Sequence, residues 1–108
     1  MITIDFCVGD KAHALTITGH AGYSDHGNDI VCAGVSAIAF TLLGFLDNHS
    51  DDVGSISAQA KSGDFHISCD ECGEKIATAF DMAMIGLQQI AMKYPKHVTI
   101  HIHPALGG

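Results

Sequence analysis

Two side chains have the types and the setting of a nucleophile and a base. Cys32 stands near the head of a long apolar run, and His20 ends an alternating stretch, with glycine-bearing sequence between them. A thiol in the first turn of a helix feels the positive end of the macrodipole and nearby free amides, which lower its pKa and favour thiolate. An imidazole within reach would take the thiol proton and later hand it to a leaving amine. The same helix-start amides would stabilise an oxyanion. Asp29 is the candidate for orienting His20, although its carboxylate is equally well placed to cap the helix. Ser36, one turn after Cys32, would line the site or hydrogen-bond within it. Taken alone, the same residues fit a plainer account, a core cysteine in an apolar helix and a surface histidine at a strand end.

The elements that must position this pair follow from periodicity. Ile2, Ile4, Phe6 and Val8 alternate with Thr3, Asp5 and Cys7, and residues 13–19 alternate again with Leu15 and Ile17 on one face, so the two runs predict a hairpin. A polar loop over residues 21–28 leads to Asp29, or alternatively Asn28, as N-cap of a helix running to about Asn48. Residues 53–60 and 64–69 predict a second hairpin around Lys61-Ser62-Gly63. A second helix is expected over residues 71–93, where Ile76, Phe80, Met84, Leu87, Ile90 and Ala91 form a stripe. Pro95 ends it, and residues 97–103 predict a last strand with Val98, Ile100 and Ile102 inward. The order is ββαββαβ, an α+β two-layer sandwich with helices on one face of a mixed sheet. If strand two and helix one pack together, His20 and Cys32 meet at one end of the sheet, where ligands bind in such units.

Composition bounds the function. A chain of 108 residues with 47% hydrophobic and 16% charged residues predicts one globular domain over residues 1–108, with 103–108 as a frayed tail. Net charge is -7, with no Arg, which argues against a nucleic-acid partner. The opening carries no basic segment followed by an apolar one, so no secretory signal is expected. The apolar run over residues 30–46 sits at the bottom of the membrane-spanning range and lacks flanking Lys or Arg, which predicts a core helix and no membrane partner. Four cysteines without a secretory signal predict free thiols in the cytoplasm.

Other chemical signals have bland readings beside them. Cys69-Asp70-Glu71-Cys72 has redox spacing, and His66 lies upstream for a zinc site, but the intervening acids raise thiol pKa and a further ligand is missing. Incidental free thiols are the expectation there and at Cys7. His97, His101 and His103 share a strand face with Thr99 and predict a polar, solvent-facing side of an open sheet. His13 and His49 sit near turns and carry no chemical argument, while His26 lies within the loop and would meet substrate. The terminal Leu106-Gly107-Gly108 is expected to be a frayed end.

The wording of the central stretch adds a resemblance. GHAGY at residues 19–23 and GNDIVCAGVSA at residues 27–37 closely resemble the signature of the ribosomal-processing cysteine proteases of Firmicutes and related bacteria. Chain length, the MITIDF opening strand and the long helix before a last strand share the likeness. By that resemblance, Cys32 and His20 match the catalytic pair, and Asp29 and Ser36 match positions linked to activity. The loop containing Ala21, Gly22, Tyr23, His26 and Gly27 would close on substrate. The resemblance implies a homodimer that uses no metal or cofactor. It also implies an endopeptidase that trims an N-terminal extension from a large-subunit ribosomal protein, cutting after an aromatic residue. A non-catalytic, ribosome-associated peptide-binding module is the alternative, and substitution of Cys32 separates the two.

Overall fold

Alternating apolar side chains at residues 2–6 and 13–17 become β1 (Ile2–Val8) and β2 (His13–Thr18), an antiparallel pair. The computed structural model describes residues 1–24 and 29–104, so His26 and Gly27 of the expected loop lie outside the described residues. After β2 come α1 (Ile30–Asn48), a 3₁₀ turn (Ser50–Asp52), β3 (Ser55–Lys61), β4 (Asp64–Asp70), α2 (Glu74–Lys93) and β5 (Val98–Pro104). The order is the ββαββαβ expected from the sequence, and the fold is α+β. Among the described residues, five strands form one sheet in the order β3-β4-β2-β1-β5, with β1 and β5 parallel and every other neighbour antiparallel.

Register stacks the core in rows. Phe6 pairs with Leu15 and Leu15 with Ile67, and all three are fully buried. The next row is Ile4, Ile17 and Phe65. Against them lie Val31, Val35, Ala39, Leu42 and Leu46 of α1, and Ile76, Phe80, Ala83 and Leu87 of α2. Each fully buried side chain of this size contributes about 1.5–3 kcal/mol, so these rows hold the layers together. By length and composition α1 would also suit a membrane, but this buried stripe is the packing of a core helix.

Two helices about 10 Å across cover roughly four strands spaced about 4.8 Å apart. The strand left over is β3. Ile56, Ala58 and Ala60 share the helix side of the sheet by their pairing with Cys69, Ile67 and Phe65, yet Ala58 and Ala60 are exposed. The space beside α1 and above β3 is therefore an open cleft. At the opposite edge β5 is inward at Val98, half-buried at Ile100 and 48% exposed at Ile102, so the expected inward face fades along that strand. β5 extends through His103 to Pro104, with His103 Nε2 3.0 Å from Asp5 Oδ1, where the sequence predicted a tail beginning at residue 103.

The second helix starts at Glu74, three residues later than expected. Glu71 adopts a left-handed φ of 54°, which breaks any helix there. Its cap comes from elsewhere in the chain. The Asp52 carboxylate accepts from the amides of Lys75 (3.1 Å) and Ile76 (3.3 Å), and the Asp52 carbonyl accepts from Gly73. A Cβ on Gly73 would run into that carboxylate, so only glycine lets the two segments close.

Candidate active site

Asp29 is the N-cap of α1. One carboxylate oxygen accepts from the amides of Val31 and Cys32, each at 3.0 Å. The other accepts from Tyr23 (3.0 Å) and Ser24 (3.4 Å) in the preceding loop. The bond from Cys32, reinforced by those from Tyr23, Ser24 and Val31, outweighs burial and holds the Asp29 carboxyl below its ordinary pKa. Both oxygens thus serve backbone amides, and capping rather than orienting His20 is the role the geometry gives this side chain. One expectation is corrected here. The Val31 and Cys32 amides already donate to Asp29, and the Ala33 amide donates to the Asp29 carbonyl, so these helix-start groups are not available to an oxyanion.

Cys32 is the third residue of the first turn and is half-buried. Its sulfur accepts from the Ala21 amide at 3.3 Å. Helix start and Ala21 N–H together present positive partial charge to the sulfur. Ala21 is buried, and its carbonyl accepts from His97 Nδ1 at 2.9 Å. Cys32 and His20 line one cleft of about 600 Å³ between α1, the end of β2 and the β3–β4 turn. Ser36, Gly22 and Asp29 also border it, with apolar surface from Ile17, Phe40 and Phe65. Phe40 is 54% exposed and meets Phe65 edge-on at 5.6 Å. A cleft lined by a thiol, an imidazole and aromatic surface suits attack on the carbonyl of an extended peptide with large apolar side chains.

The turn between β3 and β4 reaches His20 directly. Gly63 has φ of +73°, and a Cβ there would approach His20 Nε2 to 2.8 Å. Its carbonyl accepts from the Gly19 amide at 3.0 Å, which ties the turn to the residue before His20. Gly63 was read from sequence as a hairpin turn alone, and its link to the site is new.

The structure brings Cys32, His20, Asp29, Ser36, Ala21 and Gly22 to this end of the sheet. Tyr23 lies nearby, 45% exposed, with its ring edge-on to Tyr94 (5.4 Å) and His97 (5.3 Å). His97 was expected on a polar strand face but precedes β5 and joins the site through Ala21, a contact across 76 residues with no local sequence signal. The remaining cysteine pair is elsewhere. Cys69 and Cys72 are buried with sulfurs 2.6 Å apart, and burial pushes the Cys69 thiol up to about 12 and raises Cys72 as well. Among the described residues, no group of three or more His, Cys, Asp or Glu is arranged to hold a metal ion.

The family model of cysteine protease Prp matches residues 1–99. The chain belongs to the Prp family of cysteine proteases. The ribosomal processing cysteine protease Prp of Staphylococcus aureus is 30% identical over 104 residues, which cover 94% of this chain and 98% of that one. The protein of the same name from Mycoplasma pneumoniae is 29% identical over 87 residues, covering 81% of this chain and 84% of its own. Similarity extends to three dimensions. A crystal structure of the S. aureus protease with a covalently linked product peptide superposes with a TM-score of 0.82 at 28% identity, covering 94% of this chain and 99% of that chain. Family membership thus makes this chain a cysteine protease with the Prp fold.

Proposed function

We propose that this protease removes a short N-terminal extension from a large-subunit ribosomal protein, with Cys32 as nucleophile and His20 as general base. The observation that carries the proposal is the shared cleft: Cys32, in the first turn of α1, and His20, at the end of β2, border the same 600 Å³ space. The relatives' names, ribosomal processing proteases, support the substrate class.

His20 takes the thiol proton, and the sulfur attacks the scissile carbonyl to form a tetrahedral adduct. As the C–N bond breaks, the His20 imidazolium protonates the leaving amine, and the N-terminal fragment stays on Cys32 as a thioester. Water, deprotonated by His20, then attacks the thioester, releasing the fragment as a carboxylic acid and restoring the thiol. Asp29 keeps helix and loop together around the sulfur, and Ser36 borders the site. Phe40 and Phe65 are suited to receive the aromatic residue that, by family resemblance, precedes the cut. Ala21, Gly22 and Tyr23, which follow His20 directly, border the bound substrate. The protease works in the cytoplasm as a homodimer and needs no cofactor.

The test is incubation of the purified chain with the extended ribosomal protein from the same genome, read by intact mass. Removal of the extension supports the proposal. An intact precursor under conditions where the chain binds it would contradict it.

A further inference from the structure

His97 is fixed by its backbone from both sides. Its N–H donates to the Tyr94 carbonyl at 2.9 Å, and its carbonyl accepts from the Ile2 amide at 2.9 Å, which joins the turn after α2 to the first residue of β1. From this anchored position its side chain reaches Ala21, and because a carbonyl only accepts, Nδ1 must carry the proton in that 2.9 Å bond. Ala21 is buried at 3% exposure and is held at its other end as well, since its N–H donates to the sulfur of Cys32. A chain of two hydrogen bonds therefore runs from His97 through one residue to the nucleophile. The same residue follows His20 directly in the chain, and the Tyr23 ring two positions on packs edge-on against His97 and Tyr94.

From this geometry we infer that His97 is a positioning residue for the protease reaction, which sets the Ala21 peptide so that its N–H bears on the Cys32 sulfur. The inference deepens the proposed function and rests on Cys32 being the nucleophile. The His97 side chain bonds to Ala21, and it acts through that residue. Without its bond, the buried Ala21 carbonyl loses its partner and the residue is free to turn its amide away from the sulfur. The ring contact with Tyr23 and the hydrogen bond to Ala21 are separable by substitution. His97→Phe keeps a ring beside Tyr23 and removes the donor. His97→Asn removes the ring and keeps a donor nitrogen at nearly the same place as Nδ1.

The test measures alkylation of Cys32 by iodoacetamide at fixed pH, located by peptide mass, alongside kcat and KM for cleavage of the ribosomal precursor. In His97→Phe, alkylation and kcat should both fall about fivefold, the scale of one lost hydrogen bond, with KM little changed. In His97→Asn both should return to within about twofold of the native values. If His97→Phe does not fold, His97→Met carries the same loss of donor and the same comparison. Native rates in the donor-less variant would overturn the inference, as would equal losses in it and in His97→Asn. Alkylation needs no substrate, so a native chain that fails to cleave the precursor contradicts the proposed function while this comparison still stands or falls by itself.

Discussion

β2 carries a histidine near each end, and each belongs to a cysteine-containing group of quite different character. At the end holding His20, the thiol of Cys32 is half-buried, touches a backbone amide and opens on a 600 Å³ cleft. At the other end His13 is 6% exposed, stacks on Phe80 at 5.2 Å, and pairs across the sheet with Cys69, whose sulfur lies 2.6 Å from that of Cys72. The residue types are the same, yet burial raises both thiols at the second site, Cys69 to about 12, and lowers the pKa of His13. Both shifts keep the groups neutral and inert. The two groups differ in where the fold leaves open space and sets a backbone amide against the thiol, not in having cysteine and histidine side by side.

The sharpest break of this comparison is substitution of the thiols. Under the proposed mechanism Cys32→Ser should reduce cleavage by about 10⁴-fold or more, because a nucleophile acts as a unit with its base. Cys69→Ala and Cys72→Ala should leave kcat/KM within about twofold, since buried structural thiols take no part. A matching loss in either of these variants would erase the distinction between the two groups.

Asp29→Ala ranks next. It leaves four amides without their acceptor, frees the start of α1 and the Tyr23–Ser24 stretch together, and should lower both the melting temperature and kcat, the latter by roughly tenfold. The folded carboxyl is held below its ordinary value, so its contribution to stability is whole above the usual carboxylate pKa. That contribution is lost as pH falls toward the lowered one. Thermal melts across acid pH should therefore show a shallower decline in Asp29→Ala than in the native chain.

Gly63→Ala should slow cleavage by roughly tenfold, since the new Cβ displaces the His20 ring and the φ of +73° disfavours a side chain. A fall in kcat with a small change in melting temperature is the pattern that marks displacement of the His20 ring; a purely structural loss would lower the melting temperature in step.

The smallest effect belongs to the buried end. Among the described residues, both His13 ring nitrogens are buried without a hydrogen-bond partner. Replacing the ring with Leu removes that cost and should stabilise the chain by about 1 kcal/mol at neutral pH. Burial lowers the folded pKa of His13, so the unfolded chain takes up a proton near the ordinary value of about 6.5 while the folded one resists. Stability from the neutral ring is present above that pH and declines below it, and His13→Leu should abolish this decline in urea titrations at pH 7 and pH 5.

Much of this was legible in the sequence because it is local. Alternation at residues 2–8 and 13–17, the helical stripe of α2 and the Asp29 cap all depend on neighbours a few positions apart. Bringing His20 and Cys32 to one cleft needed only a strand, a loop and a helix start. What was hidden depends on distant partners. The start of α2 is set by Asp52 from a separate turn, His13 is buried by Phe80, and His97 meets Ala21 from the far end of the chain. Periodicity also assigned Ala58 and Ala60 correctly to a strand, but only the count of helices against strands leaves them uncovered, with Ala60 bordering the cleft.

The most direct test of the central claim is to alkylate the nucleophile with a substrate-like reagent, the sulfur displacing chloride to leave a thioether. The native chain would be treated with a chloromethyl ketone built on an aromatic-ended peptide, digested, and the modified cysteine located by mass. The account predicts one peptide adduct, on Cys32, absent after Cys32→Ser. An adduct on Cys69 or Cys72, or undiminished labelling after Cys32→Ser, would contradict it.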